Sequence, residues 1–390
     1  MHRRTLLRSL VAGLSLPLAP LHLAEAAART GRRLVLVELS GANDGLNTVV
    51  PFANDRYRAL RPTLALERQD LITLDDQLGL NNAMRPLTTV WQAGEMAVVQ
   101  GLGYPDQNRS HFKSIALWET GGDGRQSGRN GWLTEDIESL DPDFDAHGIS
   151  LDGGMGVFAS SSGVWLSFTS LHHMQTLSQT QAGLGALSTD SANPALSMLL
   201  DRGNALDTAM GRISKKINDR SLRSFQDIRG GDLGRQAALA ATLINAGVDA
   251  PVLKMKIGGF DTHEYQRGDH GRLLRDLGEA LAGLRRALKQ GGQWDQTLVL
   301  TYSEFGRRAT ENETRGTDHG TAAPHFLLGG KVRGGLWGEH PDLENLEDGD
   351  LRFSLDYRSV YQRILAGWFG LDRNRFSAFE ASSLDGLLQA

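Results

Sequence analysis

Carboxylates and imidazoles are concentrated at two places in the last third of this 390-residue chain. Asp261 and His263 lie in Gly-Gly-Phe-Asp-Thr-His, and Asp318 and His319 lie in Gly-Thr-Asp-His-Gly. In an extended segment residues i and i+2 point to the same side, so Asp261 and His263 can bind one cation. The chain has no cysteine. A divalent metal ion is therefore the predicted ligand, bound by oxygen and imidazole alone.

Two further carboxylates are candidate metal ligands. Glu304 follows the apolar run Thr-Leu-Val-Leu-Thr-Tyr. A buried carboxylate needs a positive partner, which is either a metal ion or the neighbouring Arg307 and Arg308. Asp44 lies in Gly-Ala-Asn-Asp-Gly. Asparagine and aspartate bond their own backbone in turns, so Asp44 either forms a turn or binds a metal ion.

A serine and its neighbours are candidates for the reaction itself. Ser110 opens a predicted helix, where it is either an N-cap or a nucleophile. His111 positions the substrate, acts as an acid or base, or merely occupies the first helical turn. Arg109 can supply a basic contact to an anion. We interpret the other mature-chain histidines as surface or packing residues, and these are His147, His172, His173, His270, His325 and His340.

Ester hydrolysis at phosphorus or sulfur would use this set of residues. Two cations about 3.5–4 Å apart can activate a hydroxyl group and neutralise the equatorial oxygens of the ester. The Ser110 hydroxyl would attack in line while the helix amides and Arg109 hold the anion.

The elements that must position these residues alternate between strands and helices. Apolar runs predict strands at 34–39, 96–100, 252–257, 297–302 and 325–328, and helical spacing predicts helices at 110–120, 272–288 and 356–369. We therefore predict an α/β fold with a largely parallel central sheet and helices on both faces. Each candidate residue follows a strand, and ligands bind at the carboxyl ends of parallel strands. Residues 194–246 are interpreted as an inserted helical cap.

The N-terminus predicts export. Arg3 and Arg4 precede a short apolar run and alanines at 24, 26 and 28, a pattern typical of a twin-arginine signal peptide over residues 1–28. Residues 29–390 are predicted to form one α/β domain with no integral membrane segment, in the periplasm or outside the cell. The net charge of −5 argues against a nucleic-acid partner.

Seven motifs in order resemble an exported bacterial family of unknown function, catalogued as domain of unknown function 1501. The resemblance covers nearly the whole mature chain. That family is grouped with the alkaline phosphatase and sulfatase superfamily. The resemblance therefore implies the fold of this superfamily and the hydrolysis of phosphate, phosphonate or sulfate esters. The motifs are Leu-Ser-Gly-Ala-Asn-Asp-Gly-Leu-Asn, Ser-His-Phe, Trp-Glu-Thr-Gly, Gly-Gly-Phe-Asp-Thr-His, Ser-Glu-Phe-Gly-Arg-Arg, Gly-Thr-Asp-His-Gly and the final helix.

The resemblance assigns roles to five residues. Asp44 stands where the superfamily has its first-strand metal aspartate, and Ser110 where its nucleophile begins a helix. Asp261 and His263 resemble its metal-binding pair, and His319 its late histidine ligand. This chain differs in the spacing of that pair, which is Asp-x-His here and Asp-x-x-x-His in the superfamily.

A second difference concerns the superfamily strand that ends in Ser/Ala-Asp-His-Gly. Residues 303–306 match it in this chain, so Phe305 replaces an imidazole. The alternative register takes residues 318–320 as that motif, but the buried strand before Ser303 favours the first. A second metal site without this imidazole is rich in oxygen, which suits Mg²⁺, Ca²⁺ or Mn²⁺ better than a pair of zinc ions.

These observations predict an exported metal-dependent hydrolase of sulfate or phosphate esters with Ser110 as the nucleophile. The predicted cofactor is one or more divalent ions among Zn²⁺, Mn²⁺, Mg²⁺ and Ca²⁺, and the predicted substrate is an anionic ester, small or polysaccharide. Two alternatives remain. One is a non-catalytic exported binding protein that retains the fold, and the other is an isomerase or transferase that moves a phosphoryl group.

Overall fold

The computed structural model describes eight stretches of the chain. They are residues 31–123, 125–140, 143–160, 162–177, 193–217, 225–340, 342–372 and 374–389. The signal peptide predicted for residues 1–28 lies outside them. Within these stretches, no helix combines the length and the apolar character that crossing a membrane requires.

A nine-stranded mixed sheet forms the centre of the described structure. Its order is β11-β5-β10-β9-β1-β8-β6-β7, and β12 pairs with β5. The strands are β1 (Arg33–Ser40), β5 (Met96–Gly103), β6 (Gly148–Ser150), β7 (Trp165–Ser167), β8 (Val252–Gly258), β9 (Thr297–Tyr302), β10 (Ala323–Gly329), β11 (Gly335–Trp337) and β12 (Leu355–Asp356). A separate antiparallel sheet contains β2 (Val49–Val50), β3 (Leu71–Thr73) and β4 (Gly79–Asn81). All five predicted strands are confirmed.

The helices of the described residues pack on both faces of the main sheet. They are α1 (Asp55–Leu60), α2 (Thr88–Gln92), α3 (His111–Thr120), α4 (Thr134–Glu138), α5 (Pro194–Lys216), α6 (Gly231–Asn245), α7 (Gln266–Gln290) and α8 (Tyr357–Arg363). Helix α7 begins six residues before the predicted start at 272. After α8, residues Ile364–Trp368 form a π-helical turn.

Strand β1 explains why both faces are covered. Its alternate residues Val35, Val37 and Leu39 enter one apolar cluster, which includes residues of α6 and α7. Leu34 and Leu36 point to the opposite face and enter a second cluster with residues of α3, α4 and α8. A strand that is apolar on both sides must be buried between two layers. The predicted largely parallel sheet with helices on both faces is confirmed.

The segment predicted as a helical cap contains α5 and α6. Leu233, Ala237 and Leu243 of α6 are buried in the cluster on one face of the sheet, and α6 packs beside α7. Residues 218–224 of this segment lie outside the described stretches. At least α6 therefore belongs to the layer that covers the sheet.

Strand β10 is antiparallel to both of its neighbours, β9 and β5. The reason is local, because residues 303–322 join β9 to β10 without a helix. A parallel return needs a crossover of a dozen or more residues that is usually helical, and this loop turns back instead.

The strand directions bring the candidate residues to one edge of the sheet. Strand β1 is parallel to β8 and β9, so all three end at this edge. Antiparallel β10 begins there, which places the preceding loop with residues 318 and 319 at the same edge. Strand β5 also ends there, and the chain continues from it to residues 109–111.

Candidate metal centre

Three imidazole rings and one carboxylate converge at this edge. The Oδ1 atom of Asp261 lies 3.0 Å from Nε2 of His263, 3.2 Å from Nε2 of His319 and 3.4 Å from Nε2 of His111. The Nε2 atom of His319 also lies 3.1 Å from that of His111 and 3.0 Å from that of His263. The four groups come from three segments of the chain, since Asp261 and His263 share one loop, and their donor atoms converge at this edge.

These separations match the edges of a tetrahedral metal site. A divalent ion such as zinc binds imidazole nitrogen and carboxylate oxygen at about 2.0–2.2 Å, so two of its ligands lie about 3.3–3.5 Å apart. Five of the six edges of such a tetrahedron measure between 3.0 and 3.4 Å here. These five separations are those of ligands around one ion, and His111, Asp261 and His319 form the group whose donor atoms all lie within 4.8 Å of one another.

The carbonyl oxygen of Arg109 fixes the tautomer of His319. It lies 2.9 Å from Nδ1 of the ring, and a carbonyl only accepts hydrogen bonds, so Nδ1 carries the proton. Burial lowers the pKa of His319. The neutral ring then directs the lone pair of Nε2 toward the other two imidazoles and Asp261.

Asp318 holds His263 in the same orientation. Its Oδ1 atom lies 3.0 Å from Nδ1 of His263 and accepts a hydrogen bond of 3.2 Å from Asn312. Burial opposes ionisation of Asp318, but these two hydrogen bonds hold its pKa below the usual value. A carboxylate behind a metal-binding imidazole fixes the tautomer and makes the ring a better ligand. Asp318, predicted as a ligand itself, is placed behind His263.

Glu304 stands behind His111. Its Oε1 atom lies 3.5 Å from Nδ1 of that ring. The same carboxylate accepts hydrogen bonds from the backbone amides of Gly41, at 2.8 Å, and Ala42, at 2.9 Å. Although burial opposes ionisation, the hydrogen bonds from His111 and these amides lower the pKa of Glu304. Because the two backbone amides donate hydrogen bonds to its oxygens, Glu304 is held behind His111 and does not join the converging atoms.

Arg307 anchors Asp261. Its Nη2 atom lies 2.6 Å from Oδ1 of Asp261, and the guanidinium also donates to the carbonyl oxygens of Ala42 and Thr317, each at 2.8 Å. Burial opposes ionisation of Asp261, but Arg307 and the imidazoles lower its pKa to about 2. The arginine predicted as an ion-pair partner of Glu304 is therefore paired with Asp261.

Phe305 occupies the position where the resemblance places an imidazole. Its ring is buried and packs against those of His111 and His319, with centroids 5.0 and 4.9 Å apart. His111 enters from α3 and supplies an imidazole at the same place. The described group holds three nitrogens and one oxygen and includes Asp261 and His263, which the sequence predicts to share one cation, and the oxygen-rich second site stays a prediction.

Ser110 lies between two residues that contact the centre. Arg109 contacts His319 through its carbonyl, and His111 contributes its ring directly. Ser110 is exposed and occupies the N-cap of α3, but its side chain makes no capping hydrogen bond. Its hydroxyl is therefore not committed to stabilising the helix.

The side chains of Asp44 and Arg109 are engaged elsewhere. Asp44 is completely buried, and its Oδ2 atom lies 2.6 Å from Nη1 of Arg61 and accepts a hydrogen bond from Gln266. Burial opposes ionisation of Asp44, but Arg61 keeps its pKa low. The guanidinium of Arg109 pairs with Asp350. Asp44 is therefore not part of the converging group, and Arg109 reaches it through its backbone.

The sequence places His111 at the site through its position directly after Ser110, and its three predicted roles stay predictions. Two arginines of this region have contacts that the sequence did not predict. Arg61 carries no sequence signal, because it lies 17 residues after Asp44 in an ordinary amphipathic segment. Arg307 lies next to Glu304 in sequence, and only the loop geometry directs it to Asp261.

Three of the histidines interpreted as surface or packing residues are buried, and these are His147, His270 and His325. The Nε2 atom of His270 lies 2.9 Å from Oδ1 of Asn43, and burial lowers the pKa of its ring to about 4. The ring of His325 packs against Trp118 with centroids 5.1 Å apart, and burial lowers its pKa to about 3. His172 and His173 are exposed. The structure thus places all five of these rings in packing or surface positions.

The chain is similar to one protein family in sequence and to several solved structures in fold. A family model described as "Protein of unknown function (DUF1501)" matches residues 31–376. Among curated proteins, none matches the sequence significantly.

Similar solved structures come from the sulfatases and the alkaline phosphatase superfamily. The PsFucS1 sulfatase from Pseudoalteromonas sp. is 11% identical with a TM-score of 0.41, over 95% of this chain and 77% of that one. A complex of Ps i-CgsB with k-i-k-neocarrahexaose is 10% identical with a TM-score of 0.42, over 90% and 75%. An alkaline phosphatase superfamily protein from Vibrio parahaemolyticus is 11% identical with a TM-score of 0.34, over 79% and 63%. Similarity this low carries no argument about activity.

Proposed function

This chain belongs to the DUF1501 family, and from that premise we propose that it is an exported metalloenzyme that hydrolyses phosphate or sulfate esters. One divalent ion is bound by His111, Asp261, His263 and His319, and Ser110 is the nucleophile. The alternatives are a binding protein without activity and an enzyme that moves a phosphoryl group within its substrate.

The convergence of four electron-rich atoms carries this proposal. The Nδ1 atoms of His319 and His263 each face an acceptor, so both Nε2 atoms present lone pairs to the centre. The Oδ1 atom of Asp261 is a fourth electron-rich atom within 3.4 Å of all three rings. Lone pairs brought together in this way repel one another unless a positive charge lies between them. Arg307 reaches Asp261 from one side, and the three rings face this carboxylate and one another from the other side.

The donor set decides among the predicted ions. Three imidazole nitrogens and one carboxylate oxygen suit zinc or another transition metal, whereas Mg²⁺ and Ca²⁺ prefer oxygen ligands. We therefore favour Zn²⁺ over Mn²⁺, Mg²⁺ and Ca²⁺.

In this proposal Ser110 attacks from the start of α3, between Arg109 and His111. When bound, the ion supplies the positive charge that neutralises the oxygens of a phosphoryl or sulfuryl group. The Ser110 oxygen forms a bond to phosphorus or sulfur as the bond to the leaving oxygen breaks. The serine proton passes to water, and the leaving oxygen takes a proton from water. A second water molecule then cleaves the seryl ester and restores the hydroxyl.

The class of ester and the location come from the sequence. The motif resemblance directs the proposal to phosphate and sulfate esters, because both present tetrahedral anions to a metal ion. The twin-arginine pattern in residues 1–28 directs it to the periplasm or the cell exterior.

Protein purified after native export provides the test. Its metal content is measured first, and the holoprotein is then assayed with aryl phosphate and aryl sulfate esters. We expect one equivalent of transition metal and turnover of at least one ester class, both lost in His319→Ala. His172→Ala, a change at an exposed histidine, is the matched control. Bound metal without turnover of any ester would overturn the hydrolase and favour the binding protein.

A further inference from the structure

A second pocket opens beside the candidate metal centre. Its volume is about 400 Å³, and it is lined by Thr63, Leu64, Tyr265, Arg267 and Arg315. Pockets that bind small ligands typically range from about 300 to 1,000 Å³. The pocket is therefore large enough for one ring of a substrate.

The segment after β8 and the loop between β9 and β10 contribute residues to both the pocket and the metal centre. Tyr265 follows His263 by two residues, a span of at most about 7 Å between their Cα atoms. The amide of Tyr265 donates to the carbonyl of Thr314 at 3.0 Å, and the amide of Gln266 donates to that of Arg315 at 3.0 Å. These two hydrogen bonds fasten the loops together. The pocket and the metal centre are therefore neighbours in the structure.

Two arginines give the pocket its charge. Arg267 begins the first turn of α7, and its exposed guanidinium lies 3.7 Å from Asp70, a loose surface pair. Arg315 is exposed on the facing loop. The nearby carboxylate of Glu311 accepts hydrogen bonds from the amides of Thr63 and Leu64, which hold it against the backbone. Two guanidinium groups lining one pocket favour an anion, because arginine binds sulfate and phosphate oxygens with paired hydrogen bonds.

Tyr265 adds an apolar platform. Its ring is 72% exposed, which leaves a large apolar face in water beside the two arginines. Its backbone is left-handed, with φ of 43°, a conformation that is uncommon for an aromatic residue. The hydrogen bonds from the amides of Tyr265 and Gln266 to the facing loop hold the backbone in this unfavourable conformation, and the ring is exposed. An exposed aromatic face is suited to stack on the carbon–hydrogen face of a sugar ring.

We propose that this pocket binds a second, non-reacting anionic group and its sugar ring, so that the substrate is a polyanionic oligosaccharide. This inference rests on the proposed function for the identity of the reacting ester at the metal centre. The pocket itself takes the neighbouring residue of the same chain, with Arg267 and Arg315 on its anion and Tyr265 on its ring.

Calorimetric titration of the metal-loaded protein tests the assignment without any turnover. The probes are a sulfated oligosaccharide, the same oligosaccharide without sulfate, and inorganic polyphosphate. We expect the sulfated probe to bind about ten-fold or more tightly than the unsulfated one, and Arg267→Gln with Arg315→Gln to reduce that difference several-fold. Tyr265→Ala should weaken the sulfated oligosaccharide and leave polyphosphate binding unchanged. Arg272→Gln, at an exposed arginine of the same helix, should bind all probes as the wild type does.

Three outcomes would overturn the inference. They are equal affinity for both oligosaccharides, unchanged affinity in the double arginine variant, and unchanged affinity for the sulfated probe in Tyr265→Ala. The test is separate from that of the hydrolase, because binding in the pocket is measured equally well in a protein that turns over no ester. Hydrolysis could thus fail while the pocket binds as expected, and the reverse result is equally distinguishable.

Discussion

The Nε2 atoms of His263 and His319 lie 3.0 Å apart, although 56 residues separate the two histidines in the chain. Behind each ring, an acceptor holds Nδ1, which is Asp318 for His263 and the carbonyl of Arg109 for His319. Both lone pairs therefore face each other. This arrangement needs a positive charge between the rings, and it is the basis for the predictions below.

Asp318→Asn should weaken metal binding without removing a ligand. The amide side chain cannot accept the Nδ1 proton of His263 as a carboxylate does, so the ring loses orientation and basicity. Loss of such a partner typically reduces metal affinity by about 10–100-fold. Competition with a chelator measures the affinity, and Asp269→Asn at an exposed aspartate is the control. An unchanged affinity would show that Asp318 does not position His263 for a metal ion.

Asp44→Asn should destabilise the protein and leave the metal in place. Removing this carboxylate leaves the buried guanidinium of Arg61 without its partner, and breaking a buried ion pair typically costs about 3–5 kcal/mol. Chemical denaturation measures the free energy of unfolding, and elemental analysis measures the metal. Loss of the metal from a variant that is still folded would contradict the ion-pair role and restore Asp44 as a ligand.

Ser110→Ala should abolish ester turnover while metal content and thermal stability stay unchanged. The side chain makes no capping hydrogen bond, so its removal costs the helix little. Loss of a serine nucleophile reduces kcat by orders of magnitude, on the order of 10³-fold or more. Steady-state kinetics measure the effect, with Ser383→Ala at an exposed serine as the control. Full turnover in Ser110→Ala would assign the attack to another group.

Stability should depend on pH through Glu119 at the far end of α3. Burial raises its pKa to about 7, with Lys254 opposing the rise and Glu38 adding to it. The unfolded chain loses this proton near its ordinary pKa of 4.5, so between pH 4.5 and about 7 the folded state binds more protons and the free energy of unfolding falls as pH rises. Above about pH 7 the carboxylate is ionised in both states, so the stability lost by burying its charge no longer changes with pH.

Glu119→Gln removes this penalty. The variant should be more stable than the wild type by about 1–3 kcal/mol at about pH 8 and equally stable at about pH 4. Denaturation curves at the two pH values measure the difference, with Glu380→Gln as an exposed control. A variant that is less stable than the wild type at the higher pH would mean that Glu119 is ionised and paired in the folded state.

The strands and the edge where the site lies could be predicted from sequence, for a clear physical reason. Runs such as residues 297–302 are apolar on both sides, and only a sheet covered on both faces buries them. The polar residues that follow each run must then emerge at the carboxyl ends of the strands. This reasoning placed Asp261, His263 and His319 together, and the structure brings them within 3.2 Å of one another.

The roles within that edge could not be predicted, because they depend on side-chain partners remote in sequence. Glu304 and Asp44 carry the same kind of carboxylate as Asp261. The backbone amides of Gly41 and Ala42 bind the carboxylate of Glu304, and Arg61 binds that of Asp44. No local pattern reports either contact. The place of His111 in the group likewise depends on β10, whose antiparallel return brings His319 beside the start of α3.

The position of the metal ion itself tests the central claim most directly. An anomalous difference map from crystals of the natively exported protein would locate it. We predict one peak about 2.0–2.2 Å from Nε2 of His111, His263 and His319 and from a carboxylate oxygen of Asp261. A metal-replete crystal with no peak there, and with the three rings bonded to one another and to Asp261 alone, would contradict the account.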